Sequence, residues 1–138
     1  PLIQQKVLSG LLAEVDRAAE LRSSPSWAGR LFVEVETNGT IRPTPTLAAR
    51  VDQWNVSPKL ECSGEPAERR VRDGALAWFS TQPNAFFKFV VESAADADEA
   101  AALARRFGVE SERILLMPQA KDKRELELRE GDARRWAA

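Results

Sequence analysis

The sequence predicts an α/β fold, a parallel-stranded partial (β/α) barrel of about four βα units. Three observations predict it. Short apolar segments begin near residues 31, 54, 86 and 113, and stretches of helical periodicity separate them. Each apolar segment ends on a polar or proline-containing corner. The 138 residues are too few to close an eight-stranded barrel, which takes about 250.

Taken in order, residues 2–22 carry apolar side chains at 3, 7, 8, 11, 12, 15, 18 and 19, the stripe of an amphipathic helix that Gly10 weakens without breaking. "SSPSWAGR" (23–30) is a loop. "LFVEVE" (31–36) alternates as a strand and meets the turn signal Thr37-Asn38-Gly39. The proline-rich 41–50 is mostly loop, with one helical turn over Leu47–Arg50. "WNVS" (54–57) is a short strand. Residues 66–81 form a helix with Val71, Ala75, Leu76, Trp78 and Phe79 near one face. "FFKFVVE" (86–92) reads as a strand buried on both faces. Asp96 and Asp98 precede a helix that Gly108 ends. "RILLM" (113–117) is the last strand, stopped by Pro118, and 121–137 is a charged helix interrupted at Gly131.

Right-handed crossovers place all four strand C-termini on one edge. That edge carries "ETNG" (36–39), "SPK" (57–59), "VES" (91–93) and "MPQA" (117–120). Ligands of parallel α/β folds sit outside those carboxyl ends. Glu36, Thr37 and Asn38 offer a carboxylate, a hydroxyl and an amide, a set suited to hydroxyl-rich or amine-bearing ligands; the other reading is a tight turn satisfying its own backbone. Pro58 stops its strand and holds Ser57 extended. Ser57 and Lys59 then form either an anion- or ribose-binding corner or a solvated loop start. Met117, Pro118 and Gln119 either pack on and read a flat ring or cap the core.

Composition removes other chemistries. Net charge is −1 and no basic block occurs, so nothing predicts phosphate neutralisation on nucleic acid. Glu68-Arg69-Arg70 and Asp132 to Arg135 read as solvated helix faces. One cysteine, Cys62, no histidine and no tyrosine exclude an internal disulfide, triad chemistry and a multi-cysteine metal site within this chain. No catalytic residue is assigned. The four tryptophans read as core and interface anchors. No segment approaches 18 consecutive apolar residues and no signal-peptide pattern opens the chain, so a cytoplasmic location without membrane partners is expected. Residues 1–138 read as a single domain, and the opening at Pro1 and the close at "ARRWAA" as those of a piece of something longer.

The corners in order resemble a known family. "PLIQQ" resembles the end of the "GGEPLLQ" segment of radical S-adenosylmethionine enzymes. "VEVETNGTIRP", "VDQWNVSPKLECSG", "FKFVV" and "RILLMPQA" are together similar to the 7-carboxy-7-deazaguanine synthases. The resemblance implies a carbon–nitrogen lyase of deazapurine and queuosine (tRNA base) biosynthesis. It uses S-adenosylmethionine, a 4Fe–4S cluster on three cysteines, Mg2+ and a flavodoxin-like or other electron donor to contract the ring of 6-carboxy-5,6,7,8-tetrahydropterin with loss of ammonia. It implies that Ser57, Pro58 and Lys59 contact S-adenosylmethionine, that Met117, Pro118, Gln119 and Ala120 lie at its adenosine end, and that Glu36 and Asn38 face the cofactor and Thr37 the substrate.

The sequence departs from the family in lacking the cluster cysteines, the GGE residues, the magnesium-ligating threonine and the final strand, so an inactive fragment is expected. Cys62 alone does not hold a four-iron cluster. Other radical S-adenosylmethionine activating enzymes share "ETNGT", while "SPKL" followed by Ser-Gly favours the synthases. A non-catalytic α/β module is the remaining reading. Exposed sheet edges make edge-to-edge pairing into a homodimer an expectation.

Overall fold

The computed structural model describes residues 2–21 and 31–136; the loop expected over 23–30, with Trp27, lies outside them. A 3-10 turn at Leu2–Gln4 runs into α1 (Gln5–Leu21). Then follow β1 (Glu34–Thr37), α2 (Pro45–Ala48), β2 (Gln53–Val56), α3 (Ala67–Arg70), α4 (Asp73–Ser80), β3 (Ala85–Val91), α5 (Ala94–Phe107), β4 (Ile114–Pro118) and α6 (Lys123–Trp136).

The four strands form an all-parallel sheet in sequential order β1-β2-β3-β4. This is a mixed α/β architecture consistent with a partial β/α barrel. In such an order every right-handed crossover lies on the same side of the sheet. The core confirms this: Val35, Trp54, Val56, Phe87, Phe89 and Val91 of the strands pack with Leu47, Leu76, Phe79, Ala100 and Ala104 of the helices. Trp54, only 1% exposed, meets Trp78 and Phe79 edge-to-face at 6.1 and 5.4 Å. Each such pair adds about 0.5–1.5 kcal/mol beyond the area it buries.

Local chemistry sets the element ends. Thr44 caps α2 by accepting the Leu47 N–H, with Pro45 in the first turn, which starts this helix before the expected Leu47. Ser93 and Asp96 form a reciprocal capping box on α5, and Gly108 closes it at φ 65°.

Several expectations are corrected. The first strand begins at Glu34 rather than Leu31, because pairing with β2 starts at Glu34–Gln53. The carbonyl of Val33 is already taken by the Asp52 and Gln53 amides. The helix expected over 66–81 is two, since Val71 and Arg72 adopt extended geometry and half-buried Val71 packs on the core. Gly131 does not interrupt α6; ion pairs one turn apart, Glu125–Arg129 and Glu130–Arg134, flank it. In α1 the apolar stripe divides. Leu8 and Leu12 pack on the core, whereas Ile3, Val7 and Leu11 are exposed. Finally, β3 is not buried on both faces. Ala85, Phe87, Phe89 and Val91 are buried, while Phe86, Lys88 and Val90 are half-buried on the face opposite the helices.

Gly39 shows what the first strand tip depends on. At φ 73°, a Cβ there would lie 2.7 Å from Leu76 Cδ2 and 2.8 Å from Val56 Cγ1, both on core side chains with no room to move. Gly39→Ala is expected to destabilise the fold by about 2–4 kcal/mol, strain and overpacking together, read as a lowered urea midpoint at unchanged slope.

Candidate functional site

The ladder carries on past the strand ends. The Ser57 N–H donates to the Thr37 carbonyl at 2.7 Å, and the Gln119 N–H to that of Val91 at 2.9 Å. The first two tips are thus level with each other, as are the last two, which stand four residues further along because Val56 pairs with Phe87 and Val91 with Pro118. Together they line an open crevice of about 500 Å³. Glu36, Thr37 and Asn38 come to it from the first tip, Ser57 and Lys59 from the second, and Met117 from the fourth. Lys88 and Val90 of β3, to which the sequence reading gives no site role, also line it, as do Leu2 and Ile3 of the opening 3-10 turn and Thr40 and Ile41 after the first tip.

The other expected residues lie alongside. Pro118, Gln119 and Ala120 line an adjoining hollow of about 390 Å³ that shares Val90 and Met117 with the crevice. Pro58 is buried, and with Cys62 and Gln119 it borders a third hollow of about 90 Å³.

The first tip spends part of its polarity on itself. Thr37 Oγ1 accepts the Gly39 N–H at 3.2 Å, and Asn38 Oδ1 accepts from the Thr40 N–H at 3.2 Å and Oγ1 at 2.8 Å. Turn and site readings therefore coexist: Thr37 retains its O–H donor and Asn38 its amide N–H2. Glu36 differs. Lys88 Nζ donates to both of its carboxylate oxygens at 3.0 Å. Asn55 Nδ2 donates to Glu36 Oε1 at 3.2 Å and also to the Glu34 carboxylate, and Gln53 Nε2 donates to Asn55 Oδ1 at 3.1 Å. A polar network thus crosses three strands on the helix-free face. Its one sequence signal is a lone ammonium, Lys88, inside an otherwise apolar strand.

The Ser57–Lys59 corner is held from behind. Arg70 Nη1 donates to the Lys59 carbonyl at 3.2 Å and pairs with Glu99, whose other oxygen accepts the Glu61 N–H at 2.8 Å. The Lys59 side chain itself is exposed. Cys62 lies in the 3-10 turn Glu61–Ser63 and is exposed. Desolvation on its protein side, then its hydrogen bond to Asp96, push the thiol up to about 11. It is a poor nucleophile at neutral pH.

An all-parallel α/β sheet whose polar crevice opens on its carboxyl edge defines a class, the βα-repeat proteins that bind ligands at strand tips. A 7-carboxy-7-deazaguanine synthase from Pyrobaculum aerophilum is 39% identical over 93 residues, which are 67% of this chain and 39% of that relative. This chain belongs to the 7-carboxy-7-deazaguanine synthase family. It matches well under half of that relative's length. No family model matches the chain, and no solved structure matches it significantly.

Asp96 links the α5 cap to this corner. Burial (6% exposed) acts to raise its pKa, but the backbone N–H of Glu92, the Cys62 thiol and Ser93 all donate to it and hold it below the usual aspartate value. The unfolded chain therefore takes up the proton first as pH falls, so this stabilisation is present above about pH 4 and is lost through the lower, folded-state pKa. Asp96→Asn should cost about 1.5–3 kcal/mol at neutral pH. In urea melts across pH, the gap between wild type and variant should close below about pH 4.

Proposed function

We propose that this chain provides the S-adenosylmethionine-facing strand tips of a 7-carboxy-7-deazaguanine synthase, a lyase that contracts 6-carboxy-5,6,7,8-tetrahydropterin with loss of ammonia. The observation that carries the reading is the convergence of Glu36, Ser57, Lys59 and Met117, from three separate strand ends, on one crevice.

The donor set suits the methionyl nucleoside. The Ser57 hydroxyl serves the ribose or the carboxylate, and the Lys59 ammonium pairs with the methionyl carboxylate. Met117 packs on the adenine while the backbone of Pro118 to Ala120 reads its edge. Glu36 and Asn38 face the cofactor's cationic, hydrogen-bonding end, and the remaining Thr37 O–H is directed to the pterin. Bound S-adenosylmethionine supplies the hydrogen-abstracting chemistry of the reaction.

Metal centres do not fit the residues present. Cys62 is the chain's single cysteine, and among the described residues no three Cys, Asp or Glu gather where they could hold a metal ion. The cluster and Mg2+ of the family therefore have no ligand set here, and we assign this chain a binding share of the reaction rather than turnover by itself.

Two experiments test this. By titration calorimetry on this chain, Lys59→Ala should weaken S-adenosylmethionine binding by about 1.5–3 kcal/mol, tenfold or more; equal affinities would remove Lys59 from the site. A non-catalytic module would bind no nucleoside at all. Anaerobic reconstitution with iron and sulfide should give neither cluster absorption nor 5′-deoxyadenosine, and appearance of either would refute the assignment of a binding share alone.

A further inference from the structure

We propose that Lys88 is a positioning residue of the crevice: with Asn55 it fixes the Glu36 carboxylate in place to receive the cationic end of a zwitterionic nucleoside. The inference rests on the S-adenosylmethionine reading above and adds Lys88 and Asn55, to which that reading gives no role.

Its basis is the network on the open face. Glu34 and Glu36 lie two residues apart on one strand, so their side chains share that face. Both carboxylates draw on the single amide of Asn55, itself buried to 9% exposure. Lys88, diagonally across β2 and two residues beyond Phe86, which is the residue level with Asn55 and Glu36, contacts Glu36 through both oxygens. The Lys88 side chain is 26% exposed and that of Glu36 57%, so the lysine lies beneath and the carboxylate above, with lone pairs still open to the crevice. A bidentate contact fixes the plane of the carboxylate as well as its position. Without Lys88, two carboxylates would share one amide, and Glu36, the more exposed partner, would swing toward water.

A positioning role predicts coupling rather than simple loss. In calorimetric titrations of this chain with S-adenosylmethionine, Lys88→Met should weaken binding about five- to tenfold, and Lys88→Arg should restore it to within about twofold. Glu36→Gln should cost as much as Lys88→Met, and the double variant no more than Glu36→Gln alone, because Lys88 acts only through Glu36. Thermal melts of all four variants check that the fold survives. Additive losses would show Lys88 binding the ligand directly and overturn the proposal, as would an unchanged Lys88→Met or a failure of Lys88→Arg to rescue. If wild type binds and Lys59→Ala weakens it while Lys88→Met does not, only this inference fails. If wild type binds nothing, the site reading falls and takes this inference with it.

Discussion

The parallel ladder of backbone hydrogen bonds is what everything else here hangs from. It fixes Thr37 beside Val56 and Val56 beside Phe87, and it continues one step beyond the strands at Ser57 and Gln119. Residues far apart in sequence are therefore held at fixed relative heights, the ends of β3 and β4 standing four residues beyond those of β1 and β2. A slip of one residue would turn Glu36, Asn55 and Lys88 to the helix side and Trp54, Phe87 and Phe89 to water. The apolar face thus enforces the register, and the register assembles the polar one. Core burial and site geometry are two outcomes of the same alignment.

Sequential strand order then divides the labour between faces. Helices cover the side built from Trp54, Phe87 and Phe89, where burial at roughly 25 cal/mol per Å2 stabilises the fold. The opposite side keeps Glu34, Glu36, Asn55 and Lys88 with Phe86 and Val90, a half-dry surface on which charges attract more strongly than in bulk water. Polar groups there stabilise the fold little, but they are held in fixed orientation by strands that the other face makes rigid. That is how a small sheet presents an organised set of donors and acceptors without burying unpaired charge.

Much of this was legible from the residues. Alternation of strand and helix patterns gave the parallel α/β class, and Asn38-Gly39, Pro58 and Pro118 marked where strands end. The corner residues followed from topology, since parallel strands present their C-terminal ends together. What stayed hidden had definable causes. The run "FFKFVVE" looks almost uniformly apolar, so period-two reasoning could not say that Lys88 faces an open crevice rather than a neighbouring helix. Asn55 is equally silent, because its partners lie on a different strand and are set by register. The break at Val71 and Arg72 was missed because tertiary packing of Val71 overrode local helix preference. Gly131 misled in the other direction, as the Glu130–Arg134 ion pair across it and the Glu125–Arg129 pair before it supported a helix that its own propensity disfavours.

The strand order also governs how the chain finds this arrangement. Each pairing joins segments separated by a single crossover, so no step requires closing more than one βα loop. Parallel sheets are otherwise slow to form, because entropy is lost before distant contacts repay it. Here Trp54, Trp78 and Phe79 come together within one such unit, and the next strand, β3, docks beside Trp54 through Ala85. The sheet can grow outward from β2 and β3 one neighbour at a time, with the edge strands added last. The crevice-lining corners of the first and fourth strands are then the final parts of the molecule to be set.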